Sequence, residues 1–157
     1  WIRSVQGESD PLYMAVVDPA TGVACGIIAY LRITPADGCL EIGCITFAPR
    51  LQRTTGATEG IAMLLDWAFE AGYRRVEWKC DSLNAASRRA ARRLGFRWEG
   101  EFLQARVVKG RNRDTTWFSI IDTEWPAVRA GLDRWLDPGN FDVEGIQHQA
   151  LDVRCED

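Results

Sequence analysis

The sequence has 157 residues, of which 46% are hydrophobic and 26% are charged, as is ordinary for one soluble globular domain. No apolar run approaches the roughly 20 residues that a membrane-spanning helix needs, and no signal-peptide pattern opens the chain. There is one histidine, and the cysteines form no CxxC pair. The sequence therefore argues against a zinc site and against a hydrolase of the Ser-His-Asp or Cys-His type.

The cysteines point to a reducing compartment. Their odd number, without a disulfide framework, favours reduced thiols in a cytoplasm. Each is expected to be buried as a small hydrophobic side chain: Cys25, Cys39, Cys44, Cys80 and Cys155.

Charge is divided unevenly along the chain. Residues 1–49 carry a net charge of −3, residues 50–113 carry +7 and residues 114–157 carry −7. A basic centre between acidic ends predicts one local anion site and argues against a nucleic-acid footprint along the whole chain.

The first half of the chain predicts a sheet followed by a helix. Three runs rich in β-forming residues, at 12–18, 23–33 and 39–47, are joined by short turn-rich segments, which is typical of an antiparallel meander. An apolar stripe at helical spacing follows, with Thr58 and Glu59 in the first turn of the predicted helix.

The second half continues the alternation. An alternating strand at 74–81 leads to a helix capped by Asn84 and ended by Gly95. Two strand-like runs, 98–108 and 114–122, flank the turn "KGRNR", and a short helix and a polar tail finish the chain. The strand–helix–strand step and the hairpins predict an α/β (α+β) fold, with a mixed, mostly antiparallel sheet and helices on both faces.

Two stretches carry candidate chemistry. "QRTTGATEG" (52–60) lies at a helix N-terminus, where exposed N–H groups favour a phosphate, although a plain helix-entry loop would read the same. Glu41 lies mid-strand between apolar residues. Its carboxylate is either solvated, which the periodicity favours, or turned into a cleft where it could act in proton transfer.

Four separated motifs occur in a fixed order: "EIGC" (41–44), "QRTTGATEG" (52–60), "NAAS" (84–87) and "LGF" with "EG" close behind (94–100). Together, over residues 12–125, they resemble the GNAT superfamily of acetyl-CoA-dependent N-acetyltransferases. More narrowly, they are similar to the RimJ/RimL-type branch, whose pattern runs EIGY, QGKGYATEA, N-x-x-S and LGF.

The resemblance implies a site for acetyl-CoA and two catalytic residues. Glu41, eleven residues before Gln52, stands where related acetyltransferases place a general base, and Ser87 would assist the leaving thiolate. The residues implied to contact the coenzyme lie along the strand end, the pyrophosphate loop and the arginine-rich helix: Ile45, Phe47, Gln52, Arg53, Thr54, Thr55, Gly56, Ala57, Thr58, Asn84, Arg88 and Arg92. Thr55 replaces a glycine of the family pattern, which leaves the geometry of that loop open.

The implied function is acetyl transfer to a primary amine, without a metal, by a monomer or a homodimer. The acceptor is a peptide or protein N-terminus, or alternatively a small molecule such as a polyamine or an antibiotic amine. A non-catalytic acyl-CoA sensor is a further reading. An RNA-contacting module would use the basic hairpin residues Arg106, Lys109, Arg111 and Arg113, but few aromatic residues accompany them and the acidic ends oppose a polyanion.

The resemblance also bears on domain organisation. Residues 1–125 are expected to form the acetyltransferase domain, with the helix and tail of 126–157 packed on it. The family begins with a strand and two helices that shape the acceptor pocket, whereas about a dozen residues precede the first predicted strand here. Those elements are expected to be missing from this chain or supplied from elsewhere, so acceptor identity is not given by the sequence.

Overall fold

The computed structural model describes residues 1–153. The strands are β1 (Leu12–Val17), β2 (Ala24–Thr34), β3 (Cys39–Phe47), β4 (Arg75–Asp81), β5 (Arg97–Val108) and β6 (Arg111–Ile121). The helices are α1 (Ile2–Val5), α2 (Thr55–Glu70), α3 (Ala85–Arg93) and α4 (Trp125–Leu136), followed by a 3₁₀ turn at Pro138–Asn140.

The six strands form a mostly antiparallel sheet in the order β1-β2-β3-β4-β6-β5. The expected α/β (α+β) class is therefore confirmed, whereas the one-turn helix α1 was not predicted. No helix within residues 1–153 is long and apolar enough to cross a membrane.

Residues 1–76 form one compact unit. In it β1 pairs with β2 and β2 with β3, both antiparallel, as the short connecting segments predict. Helix α2 buries the stripe that the sequence spacing indicates. The unit's most deeply buried side chains come from α2, β2, β3 and the start of β4: Ile28, Ala29, Leu40, Ile42, Leu65, Ala68 and Val76.

Tyr30 links β2 to α2 in this unit, and its loss has a predictable effect. Its hydroxyl donates a hydrogen bond to the carbonyl oxygen of Leu64, and burial raises its pKa above the ordinary 10.0. Because the folded pKa is raised, this contribution to stability is present below pH 10 and is lost as pH rises further. We expect Tyr30→Phe to lower the free energy of unfolding by about 1 kcal/mol at pH 7.

The same variant should lose less stability between pH 10 and pH 11 than the parent chain. Urea denaturation at the three pH values measures both effects. Parallel losses in the two proteins above pH 10 would show that Tyr30 ionises equally well in the folded state.

The residues from Glu77 onward form a second compact unit. Its β5–β6 hairpin closes through Lys109 and Gly110, whose φ angles are +49° and +74°, and Val108 pairs with Arg111. Two left-handed residues suffice for a two-residue hairpin. The longer turn expected at "KGRNR" is therefore wrong, and residues 111–113 belong to β6.

The C-terminal segment, residues 149–153, contacts the 3₁₀ turn and α4 within this second unit. The Asn140 side chain accepts a hydrogen bond from the backbone N–H of Gln149 at 2.9 Å and donates one to its carbonyl at 3.2 Å. On α4, a Cβ at Gly131 would lie 2.5 Å from the carbonyl oxygen of Asp152. The missing side chain lets the segment approach closely, and Val153 is buried as a result.

Candidate functional site

Glu41 is buried in the middle of β3. It is 4% exposed, and its neighbours Leu40 and Ile42 are 2% and 1% exposed. Three consecutive buried residues mean that this stretch of β3 is covered on both faces of the sheet. In such a strand, the alternation of side chains between the two faces does not indicate which side chains are exposed to solvent. The expectation of a solvated Glu41 is therefore wrong, and the carboxylate lies in the interior.

Arg32 on β2 is a charge partner of Glu41. Its Nη2 donates to Glu41 Oε2 in a charge-assisted hydrogen bond. The arginine side chain is 56% exposed and the glutamate side chain 5% exposed. The pair thus reaches from the interior of the first unit to its surface.

A β-bulge follows Glu41 on the same strand. Ala29 pairs with Gly43 and Ile27 with Thr46, so Cys44 and Ile45 together face Ile28 alone. An extra residue interrupts the ladder and frees backbone groups from regular pairing. The sequence resemblance assigns Ile45 and Phe47, which lie at and just after this bulge, to coenzyme contact.

Cys44 is exposed at this bulge, in contrast to the sequence expectation. Its φ of +50° turns the strand locally, and the Tyr13 hydroxyl donates to Cys44 Sγ at 3.5 Å. Of the other cysteines, Cys25 and Cys80 are buried and Cys39 is half-buried. The expectation of burial is therefore confirmed for Cys25 and Cys80 and wrong for Cys44, while Cys155 lies outside the described residues.

The loop before α2 is shaped by Thr54. Its Oγ1 accepts a hydrogen bond from the N–H of Ala57 at 3.2 Å and donates one to the carbonyl of Leu51 at 2.7 Å. Helix α2 therefore begins at Thr55, which places Thr58 in the first turn as expected and Glu59 just after it. The N–H groups of this first turn have no acceptors within the helix apart from such a cap.

The substitution of threonine for the family glycine causes no backbone strain in this loop. Thr55 is the first residue of α2 and adopts helical geometry, whereas the left-handed position is taken by Arg53, with φ of +62°. Both side chains are exposed. The question that the sequence left open at Thr55 is thus answered for the backbone.

Other residues assigned to coenzyme contact near this loop form hydrogen bonds within the protein or are partly buried. Gln52 Nε2 donates to the carbonyl of Phe47 at 2.8 Å, which ties the loop to the end of β3. Thr58 is buried at 5% exposure, so it is the residue of this assigned set that is least open to a ligand. Ile45 and Phe47 are half-buried, as are Gly56 and Ala57 in the first turn of α2.

In the second unit, Asn84 and Ser87 lie at the start of α3. Asn84 Oδ1 accepts a hydrogen bond from the N–H of Ser87 at 3.0 Å, which confirms Asn84 as the cap. The Ser87 hydroxyl accepts one from Trp78 Nε1 at 2.9 Å. Burial raises the pKa of the Cys80 thiol, and a hydrogen bond from Ser87 partly offsets this rise.

Arg88 and Arg92, the two arginines that the resemblance assigns to coenzyme contact, make contacts within the second unit. Arg88 Nη1 donates to the carbonyl of Ser82 at 3.1 Å, and the Arg92 guanidinium lies 5.8 Å from the Phe118 ring centre. On the β5–β6 hairpin, Arg113 approaches the Asp81 carboxylate at 3.8 Å. These contacts give the arginine-rich helix a structural role alongside the one implied by the resemblance.

The sequence missed Arg32 as a site residue. The only signal was a single arginine inside the apolar run "IIAYLRI" (27–33), and an arginine in that position is equally well explained as the end of a strand.

Within residues 1–153, no group of three or more His, Cys, Asp and Glu side chains is placed to hold a metal ion.

Residues 1–97 match a family model described as "Acetyltransferase (GNAT) domain". A GCN5-related N-acetyltransferase from Brucella melitensis is 48% identical over 96% of this chain and 69% of that chain, with a TM-score of 0.94. The chain therefore belongs to the GNAT acetyltransferase family, whose members use acetyl-CoA as co-substrate. No curated protein matches the sequence.

Two further solved structures are similar. A GNAT-family protein from Chromobacterium violaceum ATCC 12472 is 48% identical over 80% of this chain and 64% of that chain, with a TM-score of 0.77. An acetyltransferase described from T. thermophilus is 28% identical over 85% of this chain and 70% of that chain, with a TM-score of 0.75. The chain thus spans about two thirds of the length of these relatives.

Proposed function

We propose that this chain transfers acetyl from acetyl-CoA to a primary amine, with a peptide or protein N-terminus as the acceptor, in the manner of the RimJ/RimL-type branch. The observation that carries the proposal is Glu41, a buried carboxylate three residues before the bulge that begins at Cys44. The four motifs quoted above support the branch. Free thiols at the four described cysteines support a reducing compartment such as the cytoplasm.

The coenzyme phosphates are proposed to bind at the start of α2. Backbone N–H groups at a helix N-terminus, together with the helix dipole, favour a phosphate. The exposed side chains of Arg53 and Thr55 add one positive charge and one hydroxyl group at this end, while the Thr54 hydroxyl already donates to Leu51. The pyrophosphate would therefore rest on Thr55, Gly56 and Ala57.

The acetyl group is proposed to react beside the β3 bulge. The amine must lose a proton before it attacks the thioester carbon, and Glu41 would accept that proton, directly or through water. Backbone N–H groups between Ile45 and Phe47 would donate to the carbonyl oxygen as it becomes an oxyanion. The C–N bond then forms, the C–S bond breaks, and the proton passes to solvent or to the thiolate.

Ser87 is proposed as a hydrogen-bond donor to the departing thiolate, and Asn84 as a neighbour of the thioester. A thiol pKa of about 8.5 means that the thiolate needs little help to leave. The Ser87 hydroxyl already serves Trp78 and Cys80. Its contribution is therefore expected to be smaller than that of Glu41.

A thiol-release assay with acetyl-CoA and a panel of amines tests the proposal. We expect release with peptides that carry a free α-amino group, and none with the same peptides blocked at the N-terminus. Release with spermidine or an aminoglycoside but not with peptides would favour a small-molecule acceptor. Coenzyme binding without release from any amine would favour the acyl-CoA sensor and contradict an enzyme.

A further inference from the structure

Strand β2 contains a bulge directly beside Glu41. Leu31 pairs with Glu41 and Thr34 with Cys39, so Arg32 and Ile33 both lie opposite a single residue of β3. In a regular ladder the residue after Leu31 would point to the face opposite Glu41, because successive side chains alternate. A plain strand would therefore direct Arg32 away from the carboxylate that it contacts.

The backbone conformation of Arg32 resolves this conflict. Its φ is +48°, in the left-handed region that residues with a Cβ seldom occupy. A left-handed residue in a bulge redirects its side chain and breaks the alternation. The contact between Arg32 and Glu41 thus depends on an unfavourable backbone conformation that something else must stabilise.

Asp10 supplies that stabilisation. Its Oδ1 accepts a hydrogen bond from the backbone N–H of Arg32 at 2.9 Å, and its Oδ2 accepts one from the N–H of Ile33 at 3.0 Å. These are the two bulge residues, and hydrogen bonds to an ionised carboxylate are stronger than neutral ones. One side chain that lies just before β1 therefore holds both N–H groups of the bulge.

We infer that Asp10 is a positioning residue for acetyl transfer, acting through Arg32 on the candidate base Glu41. The inference rests on the proposed function of Glu41. The Arg32 side chain is half-exposed, and a long exposed side chain has many conformations open to it. The fixed direction of its backbone keeps the guanidinium on Glu41 and thereby holds the carboxylate in one orientation.

A double-mutant cycle tests this coupling with Asp10→Ala, Arg32→Gln and the double variant. The substrates are saturating acetyl-CoA and a peptide with a free N-terminal serine. We expect Asp10→Ala to lower kcat roughly tenfold, because a misplacement of about 1 Å in a reacting group can lower a rate up to 10²-fold. KM for acetyl-CoA should stay unchanged. In the Arg32→Gln background, Asp10→Ala should lower kcat by less than about twofold, since coupled residues are not additive.

Asp18 provides a matched control in the same unit. Its carboxylate also accepts a backbone hydrogen bond, from Ala20 at 2.9 Å, but at the turn between β1 and β2. Asp18→Ala should leave kcat unchanged. Asp10→Asn, which keeps one acceptor oxygen, should fall between the parent and Asp10→Ala. Equal kcat losses from Asp10→Ala with and without Arg32 would overturn the inference, because a merely structural role acts independently of the arginine.

Nitrogen-15 NMR of the Arg32 Nη2–H group, which donates to Glu41, gives a readout that needs no acceptor substrate. We expect a resolved, slowly exchanging signal in the parent and in Asp18→Ala, and its loss in Asp10→Ala. An Arg32 signal unchanged in Asp10→Ala would refute the link between Asp10 and Arg32. If the signal depends on Asp10 while Glu41→Gln keeps full activity, the link stands and the proposed role of Glu41 fails.

Discussion

Glu41→Gln is expected to lower the rate of acetyl transfer by about 10²–10⁴-fold at neutral pH, the usual range for losing a general base. Glutamine keeps the shape of the side chain and an oxygen that can accept from Arg32, but it cannot take a proton from the amine. Coenzyme affinity should barely change, because the carboxylate serves the acceptor and not the phosphates. Steady-state kinetics and a separate coenzyme binding titration measure the two effects.

The deficit should shrink as the pH rises toward the pKa of the acceptor amine. More of the amine then arrives without its extra proton, so the base has less to do. A rate profile of parent and variant from pH 6 to pH 10 gives this convergence directly.

Glu124→Gln is a matched control for this substitution. Glu124 pairs with Arg97 at 3.1 Å, and the glutamate side chain is 17% exposed beside a 65% exposed arginine. This pair resembles Arg32–Glu41 in joining an exposed arginine to a more buried glutamate, but it lies in the second unit and has no proposed role in the reaction. Its loss should leave the rate unchanged. Near-parental activity of Glu41→Gln at every pH would remove Glu41 from the mechanism and leave an ordered water as the base.

The main elements of the fold were predictable because each rests on a local signal. Alternation marked β4, helical spacing marked α2, and Asn84 and Gly95 marked the ends of α3. The first turn of α2 was placed correctly at Thr58, but its cap, Thr54, was not named from the sequence. Cap choice depends on which side chain can turn back onto the helix, and "TTGAT" (54–58) offers several.

The burial of Glu41 could not be predicted from the same signals. A residue between two apolar neighbours is read as outward-facing when one face of a sheet is solvated, and that reading fails for a strand covered on both faces. The contact with Arg32 was equally hidden. It depends on a bulge in β2 and on two backbone N–H groups that donate to the carboxylate of Asp10, which lies 22 residues before Arg32 in the chain. Register shifts of this kind leave no periodic trace in a sequence.

Thr55→Glu is expected to weaken coenzyme A binding by about 10–100-fold, because a carboxylate within a few ångströms of the pyrophosphate repels it. Thr55 is the first residue of α2 and its side chain is exposed. A negative charge at a helix N-terminus stabilises the helix by about 0.3–1 kcal/mol. The variant should therefore be at least as stable as the parent, and a loss of affinity would not reflect unfolding.

Two variants separate charge from shape in this test. Thr55→Gln adds similar bulk without charge and should weaken binding less than about threefold. Met63→Glu adds the same charge further along α2, at a side chain that is 64% exposed. A charge beyond the first turn has little effect on that end of the helix. Calorimetric titration at low and high salt should show the Thr55→Glu deficit shrinking with ionic strength, since exposed charges are screened. Equal affinities for Thr55→Glu and Thr55→Gln at low salt would place the pyrophosphate away from α2. A phosphate that rests on Thr55, Gly56 and Ala57 must be repelled by a carboxylate at position 55.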